Sequence, residues 1–254
     1  MAGETGTSTP AKHETVLSFD EDLAVGITLR ECFAASGMGN LHRRRLSLVD
    51  AADYVAFDTE EFLRQNPETP DDNKPSEPFE PEFVGEAIER GDILEGLFDT
   101  AGELVATMWL TPHPEMKKLE VSNLVVRHDR RGEGIGAYFL NATHAIARTL
   151  HYPSCELHVD ALNSGGVRLY LEHGYVIKDY EQGKEPGSLR NWLVAERLEE
   201  ADYIPQPHDV VQVAAGDAKG LQQVIAAGYR GVRFKRGATP YTGVFTFVRS
   251  SLSR

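Results

Sequence analysis

Two hydrophobic periods alternate along this chain, and one junction between them stands out. From Val121 to Val126 a β-branched run predicts a strand. Farther on, Ile135, Phe139, Ala142, Ile146 and Leu150 fall at helical spacing. Between the two lies a turn of arginine and glycine, Arg130-Arg131-Gly132-Glu133-Gly134-Ile135-Gly136.

The same reading predicts the other elements. Asp20 to Ser36 reads as a helix with Asp20 as N-cap, closed by Gly37 and Gly39. A second helix covers Leu48 to Gln65. Pro67, Pro70, Pro75, Pro78 and Pro81 then punctuate an acidic stretch that regular helix or central strand does not tolerate. Glu82 to Arg90 predicts a short helix, and Ile93–Phe98 with Leu104–Leu110 a hairpin across Asp99 to Gly102. Leu119 to Val126, Leu157 to Val159, Tyr175 to Tyr180 and Trp192 to Leu198 read as further strands. Val210–Val213, Ala218–Ala227, Val232–Lys235 and Thr242–Val248 predict a closing β-α-β-β unit. The expected class is α/β of the α+β kind.

Length and composition set the organisation. The 254 residues are enough for one full core plus an extension. We expect a disordered N-terminus over 1–14, a main domain over 15–200 with the acidic Pro-rich insert near 66–81, and the extension over 201–254. The extension packs on the domain or on a second subunit, so a homodimer is one expected assembly. No apolar run reaches the roughly 20 residues a membrane helix needs, and the N-terminus lacks a signal-peptide core. The two cysteines, Cys32 and Cys155, form no C-x-x-C motif, which fits a reduced cytoplasmic setting. The nine histidines show no metal-ligand spacing, so no metal is expected.

Charge adds a constraint. The chain carries −13 net, and residues 58–90 hold eleven acidic against three basic side chains. Residues 218–254 hold seven basic and no acidic ones. An acidic chain repels nucleic acid and favours a cationic small molecule. The two opposite patches are also expected to meet, within the chain or between subunits.

The glycine turn carries the chemistry. A strand, a glycine turn and a helix N-terminus can hold a diphosphate, because first-turn N–H groups are free and the helix dipole favours an anion. The spacing is G-x-G-x-G, not the G-x-G-x-x-G of a dinucleotide fold. Arg131, Gly134 and Gly136 resemble the [Q/R]-x-x-G-x-[G/A] pyrophosphate loop of the GNAT superfamily of acetyl-CoA-dependent acyltransferases. Asn163, Leu169, Tyr170, Gly174 and Tyr175 resemble that family's next motif, with Val167 replacing its usual Ala. The resemblance covers about residues 83–198.

The resemblance implies a GNAT fold: N-terminal helices, a mixed central sheet splayed between its fourth and fifth strands, and here a C-terminal extension. It implies acetyl-CoA as co-substrate. Backbone N–H groups of Leu124, Val125 and Val126 would hold the pantetheine arm, with Leu124 at the thioester oxygen. Those of Arg131, Gly132, Glu133, Gly134, Ile135 and Gly136 would hold the pyrophosphate. Asn163 would hold a pantetheine group or a water, or simply cap a helix. Tyr170 would protonate the departing thiolate. Glu120 sits eleven residues before Arg131, the offset of the catalytic glutamate in histone acetyltransferases of this superfamily; an ordered water is the alternative base. The expected activity is N-acetylation of a small cationic amine by direct attack. The alternatives are a protein or peptide N-acetyltransferase and a non-catalytic CoA-binding module.

Overall fold

The computed structural model describes residues 17–65, 79–182, 191–198, 205–238 and 242–250. The expected N-terminal leader and most of the Pro-rich insert lie outside the described residues.

The helices form where the periodicity places them, with instructive differences. Helix α1 is Phe19–Ala35, capped by Ser18 rather than Asp20. Ser18 and Glu21 make a reciprocal capping box: the Glu21 N–H donates to Ser18 Oγ at 3.3 Å and the Ser18 N–H to Glu21 Oε2 at 2.8 Å. Helix α2 is Ala51–Gln65, entered through a short 3₁₀ turn at Leu48–Asp50, and α3 is Pro81–Glu89. Strand β1, His42–Arg45, escapes the pattern because the run His-Arg-Arg-Arg has no apolar alternation. It pairs antiparallel with β2, Ile93–Phe98.

β2 continues into the hairpin with β3, Leu104–His113, and β3 pairs antiparallel with β4, Lys118–Val126. Helix α4, Ile135–Thr149, leads to β5, Ser154–Asp160, and α5, Ser164–Glu172, to β6, Val176–Gln182. β7 is Asn191–Leu198, and the C-terminal unit is β8, Pro205–Ala214; α6, Ala218–Ala226; β9, Tyr229–Lys235; and β10, Val244–Ser250.

The ten strands of the described residues join one sheet in the order β1-β2-β3-β4-β5-β7-β6-β9-β10-β8. The β4–β5 pair is parallel; the others are antiparallel. β6 and β7 do not end the sheet, because β9 docks on β6 through Ile177 and Gly231. A Cβ at Gly231 would lie 3.0 Å from the Ile177 side chain, so a larger residue there would press on Ile177.

Helices cover both faces. Val25 and Leu29 of α1 and Phe139, Leu140 and Ile146 of α4 pack on one face in a core that runs on to Leu221, Phe245 and Phe247. A smaller core under α2 and α3 holds Tyr54, Val84, Leu94 and Trp109 on the other face. β2 is buried on both sides for this reason. Part of the acidic segment expected to meet the basic one, residues 66–78, lies outside the described residues. α2 and α3 cover the β2–β4 end, while the basic C-terminal strands lie at the far edge, where Arg249 pairs with Asp209 at 3.7 Å.

Candidate functional site: the open edge of β4

β4 and β5 pair over only four positions, Lys118–Val121 against Ser154–Leu157. β4 then runs on beside β3 to Val126, while β5 turns to β7 along its whole length. A bulge marks the parting: Leu110 faces Val121 and Trp109 faces Asn123, leaving Ser122 as the extra residue.

The direction of the free backbone groups follows from one hydrogen bond. The Arg127 N–H donates to Val105 O on β3 at 2.9 Å. In an antiparallel ladder alternate residues point to the partner. The groups of Val125 thus also point to β3, and those of Leu124 and Val126 point away, into the gap that β5 has left. Val126 O accepts from Arg131 Nε at 3.0 Å, consistent with this. Leu124 and Val126 point their N–H groups into the gap, with no partner among the described residues, and Val125, also expected to bind there, spends its backbone on the sheet and buries its side chain.

The turn after β4 builds an anion cradle. Gly132 and Gly134 both adopt positive φ, 87° and 82°. Gly134 is the N-cap of α4 and supplies no side-chain cap, and a Cβ there would meet nothing within 4 Å. The first main-chain bond of α4 is Tyr138 N–H to Gly134 O, so the N–H groups of Ile135, Gly136 and Ala137 have no partner within the helix. Open space over a left-handed glycine at an uncapped helix end suits a diphosphate. Gly136 itself packs inward: a Cβ would approach Leu169 of α5 to 2.9 Å.

The arginines of this turn are engaged elsewhere. Arg130 pairs with Glu133 at 2.7 Å, and Arg127 with Asp129 at 2.7 Å. Arg131 donates to Glu61 Oε2 at 2.8 Å. The field at the cradle thus comes mainly from backbone N–H groups and the α4 dipole.

The expected catalytic residues sit apart. Glu120 lies before the bulge, opposite Thr111 and Glu156, and meets His113 Nε2 at 3.0 Å. Tyr170, on α5, is partly buried with its ring edge-on to Tyr175 at 5.9 Å. Burial pushes its phenol up to about 12, so the hydroxyl keeps its proton at neutral pH. No hydrogen bond joins Glu120 to Tyr170 among the described residues. Asn163 caps α5, its Oδ1 accepting from the Gly166 N–H at 3.0 Å.

Three groups escaped the sequence reading. Asp58 of α2 accepts from Asn123 Nδ2 at 2.8 Å, beside Leu124, and burial raises its carboxyl. Glu61, one turn on, is almost fully buried and holds the glycine turn. Ser122 at the bulge bonds to Thr111 Oγ1 at 2.7 Å, which donates to buried Asp92 at 3.0 Å. Asp58 and Glu61 look like solvated acids on a helix, and only packing brings them to β4.

Comparison with known proteins bears on the fold. Residues 57–175 match the family described as Acetyltransferase (GNAT) family. A mycothiol acetyltransferase of Jonesia denitrificans is 28% identical over 75 residues, 30% of this chain; the match spans only 24% of that relative's length. Among solved structures, a chimera of the Vibrio cholerae spermidine N-acetyltransferase SpeG with hSSAT superposes at TM-score 0.50 and 18% identity, over 63% of this chain and 96% of the other. A protein provisionally described as a phosphinothricin N-acetyltransferase superposes at 0.51 and 22%, over 63% and 99%. At these identities the structural matches establish the fold.

Proposed function

From a chain that carries a GNAT acetyltransferase domain, we propose an enzyme that moves acetyl from acetyl-CoA to a primary amine of a small cationic molecule. The observation that carries the reading is the open edge of β4 ending at an uncapped, glycine-built helix N-terminus. Extended edge and anion cradle follow one another along the chain, which suits a ligand with an amide arm and a diphosphate.

Acetyl-CoA supplies the activated thioester. The chain's own groups do the rest. Val126 N–H holds the pantetheine arm, and Leu124 N–H faces the thioester oxygen, where negative charge grows as the amine attacks. N–H groups from Gly132 to Gly136 hold the pyrophosphate. Tyr170, protonated at neutral pH, gives its proton to the departing sulfur. Glu120, or an ordered water, takes the proton of the amine. Asn163 orders the start of α5 and so the place of Tyr170. Attack is direct: neither cysteine lies in these elements' binding edge. The acid-rich 58–90 stretch, with eleven acids to three bases, supports a cationic acceptor and no nucleic acid.

The same reading places the protein in a reduced cytoplasm, supported by two cysteines far apart in the sequence with no C-x-x-C spacing. No helix among the described residues is long and apolar enough to cross a membrane. The test is thiol release from acetyl-CoA across a panel of polyamines, amino-sugars and basic peptides. Turnover with a small amine supports the proposal. Turnover with peptides alone, or CoA binding without turnover, overturns it.

A further inference from the structure

We propose that Glu61 is a positioning residue for the cofactor turn, and that α2 is the brace of the whole open edge. The inference rests on the reading of that turn as the CoA site.

Both oxygens of the buried Glu61 carboxylate are used by the turn. Oε2 accepts the His128 N–H at 3.0 Å and Arg131 Nη2 at 2.8 Å. Oε1 meets His128 Nδ1 at 3.0 Å. Arg131 also donates through Nε to Val126 O at 3.0 Å, so one guanidinium ties the last residue of β4 to α2. Three residues earlier on α2, Asp58 takes Asn123 Nδ2 at 2.8 Å. The two acids thus grip β4 and the turn at either end of the segment 123–128, which among the described residues has no strand on its gap side. An unpaired strand edge and a glycine turn are intrinsically loose. A ligand that needs Leu124, Val126 and Gly134 in fixed relation gains affinity when that relation is set beforehand.

Arg131 therefore contributes to binding by being held, with its charge neutralised by Glu61, rather than by touching phosphate. Two opposite expectations follow. If Arg131 is a phosphate ligand, removing Glu61 frees it and tightens CoA binding. If it is the latch, removing either partner loosens the turn and weakens binding, and removing both does little more than removing one.

The experiment is calorimetry with CoA on the wild type and on Glu61→Gln, Glu61→Ala, Arg131→Ala and the double Ala variant, with melting curves and steady-state kinetics alongside. We expect Glu61→Ala and Arg131→Ala each to weaken CoA about tenfold or more, as loss of a buried charged hydrogen bond does. The double variant should fall within about twofold of either single one. Glu61→Gln, which still accepts both donors, should recover most of the affinity. The KM for acetyl-CoA should rise while kcat at saturation holds. Near-normal CoA affinity in Glu61→Ala or Arg131→Ala, tighter binding, or additive effects in the double variant would overturn the latch while leaving the CoA site in place. Should Glu61→Ala not fold, Glu61→Gln still decides: affinity at or just below that of the wild type supports the latch, and tighter binding overturns it. A wild type that does not bind CoA would remove both the site and this inference.

Discussion

Asn123 donates to Asp58 across 65 positions of chain, Nδ2 to Oδ1 at 2.8 Å, and the same amide nitrogen reaches Tyr54 Oη at 2.8 Å. Burial raises the Asp58 carboxyl above its ordinary value of 3.8, and the Asn123 bond only partly offsets it. The folded state therefore holds its proton more tightly than the unfolded state does. Folding loses stability as pH rises above 3.8 and through the raised value. Asp58→Asn removes that cost and still accepts from Asn123. It should raise Tm at pH 7, with the gain shrinking toward pH 4. A lower Tm at pH 7 would refute this.

Gly134→Asp should abolish CoA binding and spare the fold. The new Cβ meets nothing within 4 Å, but the residue must hold φ near 82°, costing about 1–2 kcal/mol. Its carboxylate would stand where the diphosphate is proposed to lie. Calorimetry showing near-normal affinity in a folded variant would displace the site.

Tyr170→Phe should lower kcat by about 10² to 10⁴ while leaving the KM for acetyl-CoA nearly unchanged. Only the hydroxyl is lost, so packing against Tyr175 is kept. Unchanged turnover, with chemistry shown to limit the rate, would reduce Tyr170 to a packing residue.

His144 predicts an acid-sensitive core. Burial, then the positive Arg197, lower its pKa from 6.5 to about 3, and Arg197 donates to its Nδ1. The unfolded chain takes up the proton first as pH falls. Stability from this group is complete above 6.5 and drains away between 6.5 and about 3. The loss is on the order of 3–5 kcal/mol, at about 1.4 kcal/mol per pH unit. His144→Gln should flatten the Tm profile in that window. An unaltered slope would assign the acid sensitivity to other groups.

Removing residues 205–254 should destabilise the protein outright. Phe234, Phe245 and Phe247 belong to the main core, and β9 borders β6. Each buried Phe is worth roughly 1.5–3 kcal/mol. A truncated chain with unchanged Tm and activity would show the unit to be dispensable.

Much of this molecule was legible in the order of its residues. Short apolar runs in β2–β4, helical spacing from Ile135 to Leu150 and the turn Gly132-Glu133-Gly134 are local properties, set by backbone sterics and by which face must leave water. They were enough for the α/β class and for the glycine turn at a helix N-terminus. Three things were decided only in three dimensions. β1 forms because β2 offers an edge, not because His-Arg-Arg-Arg favours a strand. The sheet grows past β6 because β9 pairs with it at Ile177 and Gly231, two positions far apart in the chain. Asp58 and Glu61 become part of the site because α2 packs across β4, some 60 to 70 residues away in sequence. Long-range partners of charged side chains leave no periodic trace, since a carboxylate on a helix looks the same whether it meets water or the chain's own arginine.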